Sequence, residues 1–183
     1  DELPRARYFG VSIGRENQRV VYCRHGKEGS RVFLHRLGEK VDADEKIFGD
    51  GYGPGVIISP SLSDDGRHLL LTVIHGSAAD KTELFVRSMD PGAPIREIVA
   101  DLPYRFTGEI AGGRLFVQTN WKAPNNRVLV AALDDPAPSK WREIIPAGPG
   151  VIESVSLVGG TLLVHELQDV HSVRSEEHTS ELQ

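Results

Sequence analysis

Asp65-Gly66-Arg67-His68-Leu69-Leu70-Leu71 turns the chain on residues suited to a tight hairpin and then runs directly into apolar side chains. The arrangement recurs as Gly113-Arg114-Leu115-Phe116-Val117, where Gly112-Gly113 supplies the turn, as Gly160-Thr161-Leu162-Leu163-Val164, and as Gln18-Arg19-Val20-Val21-Tyr22. The residues after the turns fall at 19, 67, 114 and 161, at intervals of 48, 47 and 47. A fixed period of this size is the mark of a repeat architecture.

Each unit carries further runs of the same kind. One precedes the turn: Tyr8 to Ile13, Val56 to Leu62, Tyr104 to Ile110 and Val151 to Leu157. A third run follows in the first three units (Arg31 to Leu34, Glu83 to Val86, Arg127 to Val130), and then a fourth (Glu45 to Phe48, Arg96 to Val99, Trp141 to Ile145). The runs are short, rich in Val, Ile, Leu, Phe and Tyr, and bounded by Gly, Pro, Asp and Asn, which is the pattern of strands. Leu69-Leu70-Leu71 is apolar on both faces, as in a sheet sandwiched between two neighbours. Four antiparallel strands in about 47 residues, with both faces buried, describe a propeller blade. A β-sandwich has no reason to keep the interval three times.

The expected fold is therefore all-β: an incomplete seven-bladed β-propeller of about three and a half blades, with units of about 5–50, 51–101, 102–147 and 148–173. Only the first two strands of the fourth unit are expected. The period stops at Arg174, and Arg174 to Gln183 is the in-frame translation of a common sequencing adapter, AGATCGGAAGAGCACACGTCTGAACTCCAG. Residues 174–183 are accordingly expected to be foreign to the protein.

The 183 residues carry 21 Lys+Arg against 26 Asp+Glu, a net charge of −5 that falls to −3 without the last ten. No Lys/Arg stripe offers the footprint a phosphate backbone requires, so nucleic acid is not an expected partner. No apolar run approaches the roughly 18 residues of a membrane span, and no membrane partner is expected. Cys23 is the single cysteine, which fits a reducing compartment. A cytoplasmic location is the expectation, with a periplasmic one left open because the only Met is Met89 and the natural N-terminus is expected to lie upstream.

Motifs that could carry chemistry are weak. Gly10-Val11-Ser12-Ile13-Gly14 satisfies the G-x-S-x-G expression of a nucleophile elbow, but that motif needs a strand before the serine and a helix after it, and Ser12 is followed by a polar turn and another strand. His165-Glu166-Leu167-Gln168-Asp169 opens like a zinc-protease helix but has Asp169 where the second His must stand, and His165 and His171 fall on a strand and its loop. The glycines at 49, 51, 53 and 55 precede a strand and so make a connection between blades, with no helix N-terminus to cradle phosphate. No catalytic residue, metal ligand set or cofactor site is assigned.

Five segments carry a more specific signal: Tyr8-Phe9-Gly10-Val11-Ser12, Arg24-His25-Gly26-Lys27-Glu28-Gly29, Ser63-Asp64-Asp65-Gly66-Arg67, Thr119-Asn120-Trp121-Lys122-Ala123-Pro124-Asn125-Asn126-Arg127 and Ser139-Lys140-Trp141-Arg142. In order and spacing, over about residues 5 to 173, they resemble the propeller of the prolyl oligopeptidase family. The resemblance implies a two-domain serine peptidase whose propeller caps an α/β-hydrolase domain that cleaves oligopeptides after proline. It places the catalytic Ser, Asp and His in that second domain, in cis and outside this chain, and leaves the propeller the task of a lid that admits flexible peptides. It also implies that three positions reach the rim of the substrate pocket: Tyr8, which keeps an aromatic character, Ile57, an apolar substitute, and Ser77, which departs in type. A related oligopeptidase of other specificity and a non-catalytic propeller that binds peptide or protein remain as alternatives.

Overall fold

The computed structural model describes residues 2–6, 9–14, 18–169 and 171–178, the side chains of 174 and 176–178 excepted. Tyr8 lies outside the described residues. The first sheet contains β1 (Phe9–Ile13), β2 (Arg19–Gly26), β3 (Gly29–Arg36) and β4 (Glu45–Phe48), and the second contains β5 (Val56–Leu62), β6 (His68–His75), β7 (Lys81–Ser88) and β8 (Ile95–Val99). The third is built from β9 (Phe106–Ala111), β10 (Arg114–Thr119), β11 (Arg127–Ala132) and β12 (Arg142–Ile145), and the fourth from β13 (Val151–Val158), β14 (Thr161–Gln168) and β15 (His171–His178). Every sheet is antiparallel with its strands side by side in chain order. Such meanders, three of four strands and one of three, are the blades of a propeller, and four of them leave it incomplete.

The hairpins form for the reasons their sequences suggest. Gly66 has φ +69°, and Gly112 and Gly113 have φ +55° and +72°, a region closed to most side chains. In the Ser63 to Arg67 turn, the Gly66 N–H donates to Ser63 O at 2.8 Å and the His68 N–H to Ser63 Oγ at 3.0 Å. Asp65 Oδ1 accepts from Ser63 Oγ at 2.6 Å and from the Arg67 N–H at 3.0 Å. These bonds, the Ser63 bond first, hold the Asp65 carboxyl below the usual carboxylate range.

The chain divides into two compact units, Asp1–Pro103 and Tyr104–Gln183, each holding two sheets. In the first unit, Val21, Cys23, Val32 and Leu34 of one sheet pack on Ile58, Leu69, Leu71 and Val73 of the next. Leu70, on the opposite face of β6, is buried too, which accounts for the unbroken apolar run. In the second unit, Phe116, Val128 and Val130 pack on Ile152, Leu162 and Val164. The outer strands β4, β8 and β12 each break register against their partner, at Val32/Phe33, Leu84/Phe85 and Val128/Leu129. Such irregularities twist an edge and discourage pairing with another chain.

The connection rich in glycine between β4 and β5 is a close crossing of backbones. Gly29 has φ +108°, and a Cβ there would lie 2.6 Å from Gly53 O; at Gly49, with φ +111°, a Cβ would collide with Ser30 O. Within the first blade, Asp44 accepts from Tyr22 Oη at 2.7 Å and pairs with His35 Nδ1 at 2.7 Å, tying the segment before β4 to the two central strands. Burial, together with this bond, raises the Tyr22 pKa.

The fourth sheet departs from the expectation of two strands. β15 pairs with β14 from Gln168/His171 to Thr161/His178 and so runs past Arg174 into the polar tail. An edge strand is held by backbone N–H and C=O groups, which every residue but proline supplies. Its side chains add no burial where they are described: His171, Ser172, Val173 and Ser175 are all exposed, whereas β3, β7 and β11 each bury most of theirs.

Candidate functional site

Of the two described positions expected at a substrate rim, Ile57 lies on β5 with 41% of its surface exposed. It lines a cavity of about 300 Å³ with Phe9, Cys23, His25, Ser30 and Ile74 among its other walls. Ser77 is exposed in the β6–β7 turn at the same end of the second blade, since Val56 pairs with His75 and the Gly76 N–H reaches Gly55 O at 3.2 Å. Ser77 is not a wall of the cavity. Ile74, facing Ile57 in the ladder, takes that part instead. The hairpin register carried this information: counting outward from Leu62 opposite Leu69 brings Ile57 opposite Ile74.

Two polar walls of this cavity, His25 and Ser30, are committed. Ser30 Oγ donates to Val56 O at 3.0 Å, so His25 Nδ1, 3.0 Å away, is the donor to Ser30 Oγ. Burial pushes the Cys23 thiol up, against hydrogen bonding with Ser30 and with the Arg31 and Ile58 backbone, which acts the other way. A buried, protonated thiol is a poor nucleophile. Behind the rim, Tyr52 Oη donates to Glu83 Oε2 at 2.6 Å, while Glu83 Oε1 lies 2.7 Å from His75 Nε2 and 3.3 Å from Lys81 Nζ. This knot pins the connection between the first two blades to the β6–β7 hairpin. Burial alone would raise the Glu83 carboxyl; the bonds from Tyr52, His75 and Lys81 outweigh it and hold the group below its ordinary range.

The most specific motif of the sequence, Thr119 to Arg127, builds a latch. Asn120 Oδ1 accepts the Arg105 N–H at 2.9 Å, and Thr119 Oγ1 accepts the Trp121 N–H at 3.0 Å. Asn125 Nδ2 donates to Gly148 O at 3.0 Å and Pro149 O at 3.3 Å. Asn126 Nδ2 and Gln118 Nε2 both donate to Ile152 O, at 2.7 and 2.9 Å, and the Ile152 N–H returns a bond to Asn125 O at 2.9 Å. The third blade thereby grips the entry to the fourth. Trp141, the tryptophan of the Lys-Trp pair, stacks edge-on against Trp121 with centroids 6.1 Å apart and donates Nε1–H to Pro136 O at 2.8 Å.

The catalytic patterns rejected on sequence sit as strand residues. Ser12 lies within β1 and its Oγ accepts the Leu62 N–H at 2.9 Å. His165 lies within β14, 3.4 Å from Glu153, and His171 is exposed at the start of β15. Among the described residues no group of three or more His, Cys, Asp or Glu is disposed to hold a metal ion. None of their helices is long and apolar enough to cross a membrane.

Antiparallel meanders of this order, repeated along the chain, define a segment of a β-propeller. Residues 9–179 match the family model described as "Prolyl oligopeptidase, N-terminal beta-propeller domain", and the chain belongs to that family. A prolyl endopeptidase of Elizabethkingia meningoseptica is 24% identical over 140 residues, 76% of this chain and 19% of its own length. Prolyl oligopeptidase A of Galerina marginata is 28% identical over 139 residues, 73% of this chain and 18% of its own. Thus the chain spans less than a fifth of either relative. In fold, it matches a solved prolyl endopeptidase with a TM-score of 0.85 at 21% identity, over 93% of this chain and 26% of the other. It also matches oligopeptidase B of Leishmania major with a TM-score of 0.78 at 15% identity, over 92% and 24%.

Proposed function

We propose that this chain is the lid segment of a serine endopeptidase of the prolyl oligopeptidase type, which cleaves oligopeptides after proline in an α/β-hydrolase domain carried elsewhere on the parent polypeptide. The observation that carries the proposal is the family match over residues 9–179, together with relatives named as prolyl endopeptidases. In this reading the bond-breaking groups are a serine, its histidine base and an orienting aspartate of the second domain. The propeller contributes selection: packed blades exclude folded proteins, and an extended peptide passes. In this reading Tyr8, Ile57 and Ser77 belong to the rim of the outer substrate pocket, which the cavity walled by Phe9, Ile57 and Ile74 supports for Ile57. The buried free Cys23 accords with a cytoplasmic location.

The reading extends to the last ten residues, which match a translated adapter and are foreign to the protein; codons that differ from the adapter string would remove that part of it. The test of function is the parent gene. A downstream strand, Gly-x-Ser-x-Gly turn and helix, with cleavage after proline by the whole enzyme and none by this chain alone, is the expected result. The likeness to oligopeptidase B favours, as a second reading, a related peptidase of different specificity. Cleavage after basic residues in preference to proline would select it, and a gene ending after seven blades would leave a non-catalytic binding propeller.

A further inference from the structure

The second unit holds a larger cavity, about 460 Å³, within the range of small-ligand sites. Its walls come from the start of β9, the end of β10, the latch and the first half of β13, and include Arg105, Thr107, Asn120, Glu153 and Ser154. Unlike the cavity beside Ile57, it carries an uncommitted cation. Arg105 is exposed, its backbone N–H is spent on Asn120 Oδ1, and its guanidinium makes no ion pair or hydrogen bond among the described residues. That backbone bond also fixes the Asn120 amide with its NH₂ turned away from Arg105 N. The Thr107 and Ser154 hydroxyls lack a partner among the described residues as well. The one carboxylate in the walls, Glu153, has His165 Nδ1 3.4 Å away. The latch holds these walls in register, since Gln118 and Asn126, themselves wall residues, both clasp Ile152 O.

We infer that this cavity binds a carboxylate of the oligopeptide, with the Arg105 guanidinium as its counter-ion and the Thr107 and Ser154 hydroxyls as further donors. The inference rests on the peptide reading above for its ligand class and adds a residue-level anchor that reading does not contain. Arginine suits the task because its planar fork meets two carboxylate oxygens at once.

The test is isothermal titration of the 183-residue chain with N-acetyl-Ala-Gly-Pro-Ala-Gly bearing a free C-terminal carboxylate, with its C-terminal amide, and with an amide in which Glu replaces the first Ala. The expected result is binding of a carboxylate-bearing peptide at least about tenfold tighter than of the plain amide, lost in Arg105→Gln and weakened by salt. Tighter binding of the free acid alone assigns the chain terminus, and of the Glu peptide alone an acidic side chain; both support the site. Equal affinity for all three peptides, no binding at millimolar concentration, or an Arg105→Gln variant that folds by circular dichroism and binds as well as the original overturns it. Cleavage after proline by the parent enzyme, unchanged by Arg105→Gln, would leave the peptidase reading standing while this one falls.

Discussion

At the scale of single residues, the informative side chains are polar groups driven inward and then satisfied. Glu83 is the clearest: a carboxylate 9% exposed, held by a tyrosine, a histidine and a lysine. Its folded pKa lies below the ordinary 4.5, so its contribution to stability is fully present above the unfolded value and is lost as pH falls through the folded one. Acid denaturation followed by circular dichroism should therefore show a loss of stability below pH 4.5 that is shallower in Glu83→Gln, which cannot titrate there. Parallel curves for the two proteins would remove Glu83 from the acid response. Such a knot was not legible in the sequence. His75 and Glu83 meet through the β6–β7 ladder, but Tyr52 joins them only where the Gly49–Gly55 connection crosses that hairpin, a meeting no sequence spacing announces.

At the scale of elements, the strands were legible because both local signals agreed: positive-φ turn residues and apolar runs of strand length. β4 and β5 begin and end where the runs did, at Glu45–Phe48 and Val56–Leu62. β15 was missed because its pairing uses backbone alone, and Ile74 was passed over as a cavity wall because its role follows from register rather than residue type. The latch was visible as a motif but not as a mechanism. Asn126 sits at φ +66° and also donates to Ile152 O, so two effects can be separated there. Asn126→Ala should cost about 1–3 kcal/mol in chemical denaturation through the lost bond and because alanine tolerates the left-handed region less well than asparagine, with Asn126→Gly recovering only the second part. Equal stability of Asn126→Ala and the original would mean that the amide bond contributes nothing.

At the scale of the whole molecule, β1 presents Phe9, Val11 and Ile13 at 43%, 50% and 58% exposure along one face, an apolar stripe of the kind soluble monomers seldom display. The expressed chain should associate as its concentration rises in analytical ultracentrifugation, and Val11→Lys with Ile13→Lys should shift it towards monomer while leaving the circular dichroism spectrum unchanged. A chain that stays monomeric at every concentration would show that something within it already shields the stripe.

Pro146-Ala147-Gly148-Pro149-Gly150 has the composition of a loose linker, yet the Asn125 amide holds the carbonyls of Gly148 and Pro149. Susceptibility to nicking depends on how readily a segment can be pulled out into a protease cleft, not on its residue types. Elastase, which cuts after small residues, should therefore sever the exposed β6–β7 turn at Ala78 well before the equally exposed Ala147, and Asn125→Ala should reverse that order. The junction that looks softest in the sequence is thus expected to outlast a hairpin tip under digestion, which makes it a poor place to divide the protein or to insert a tag.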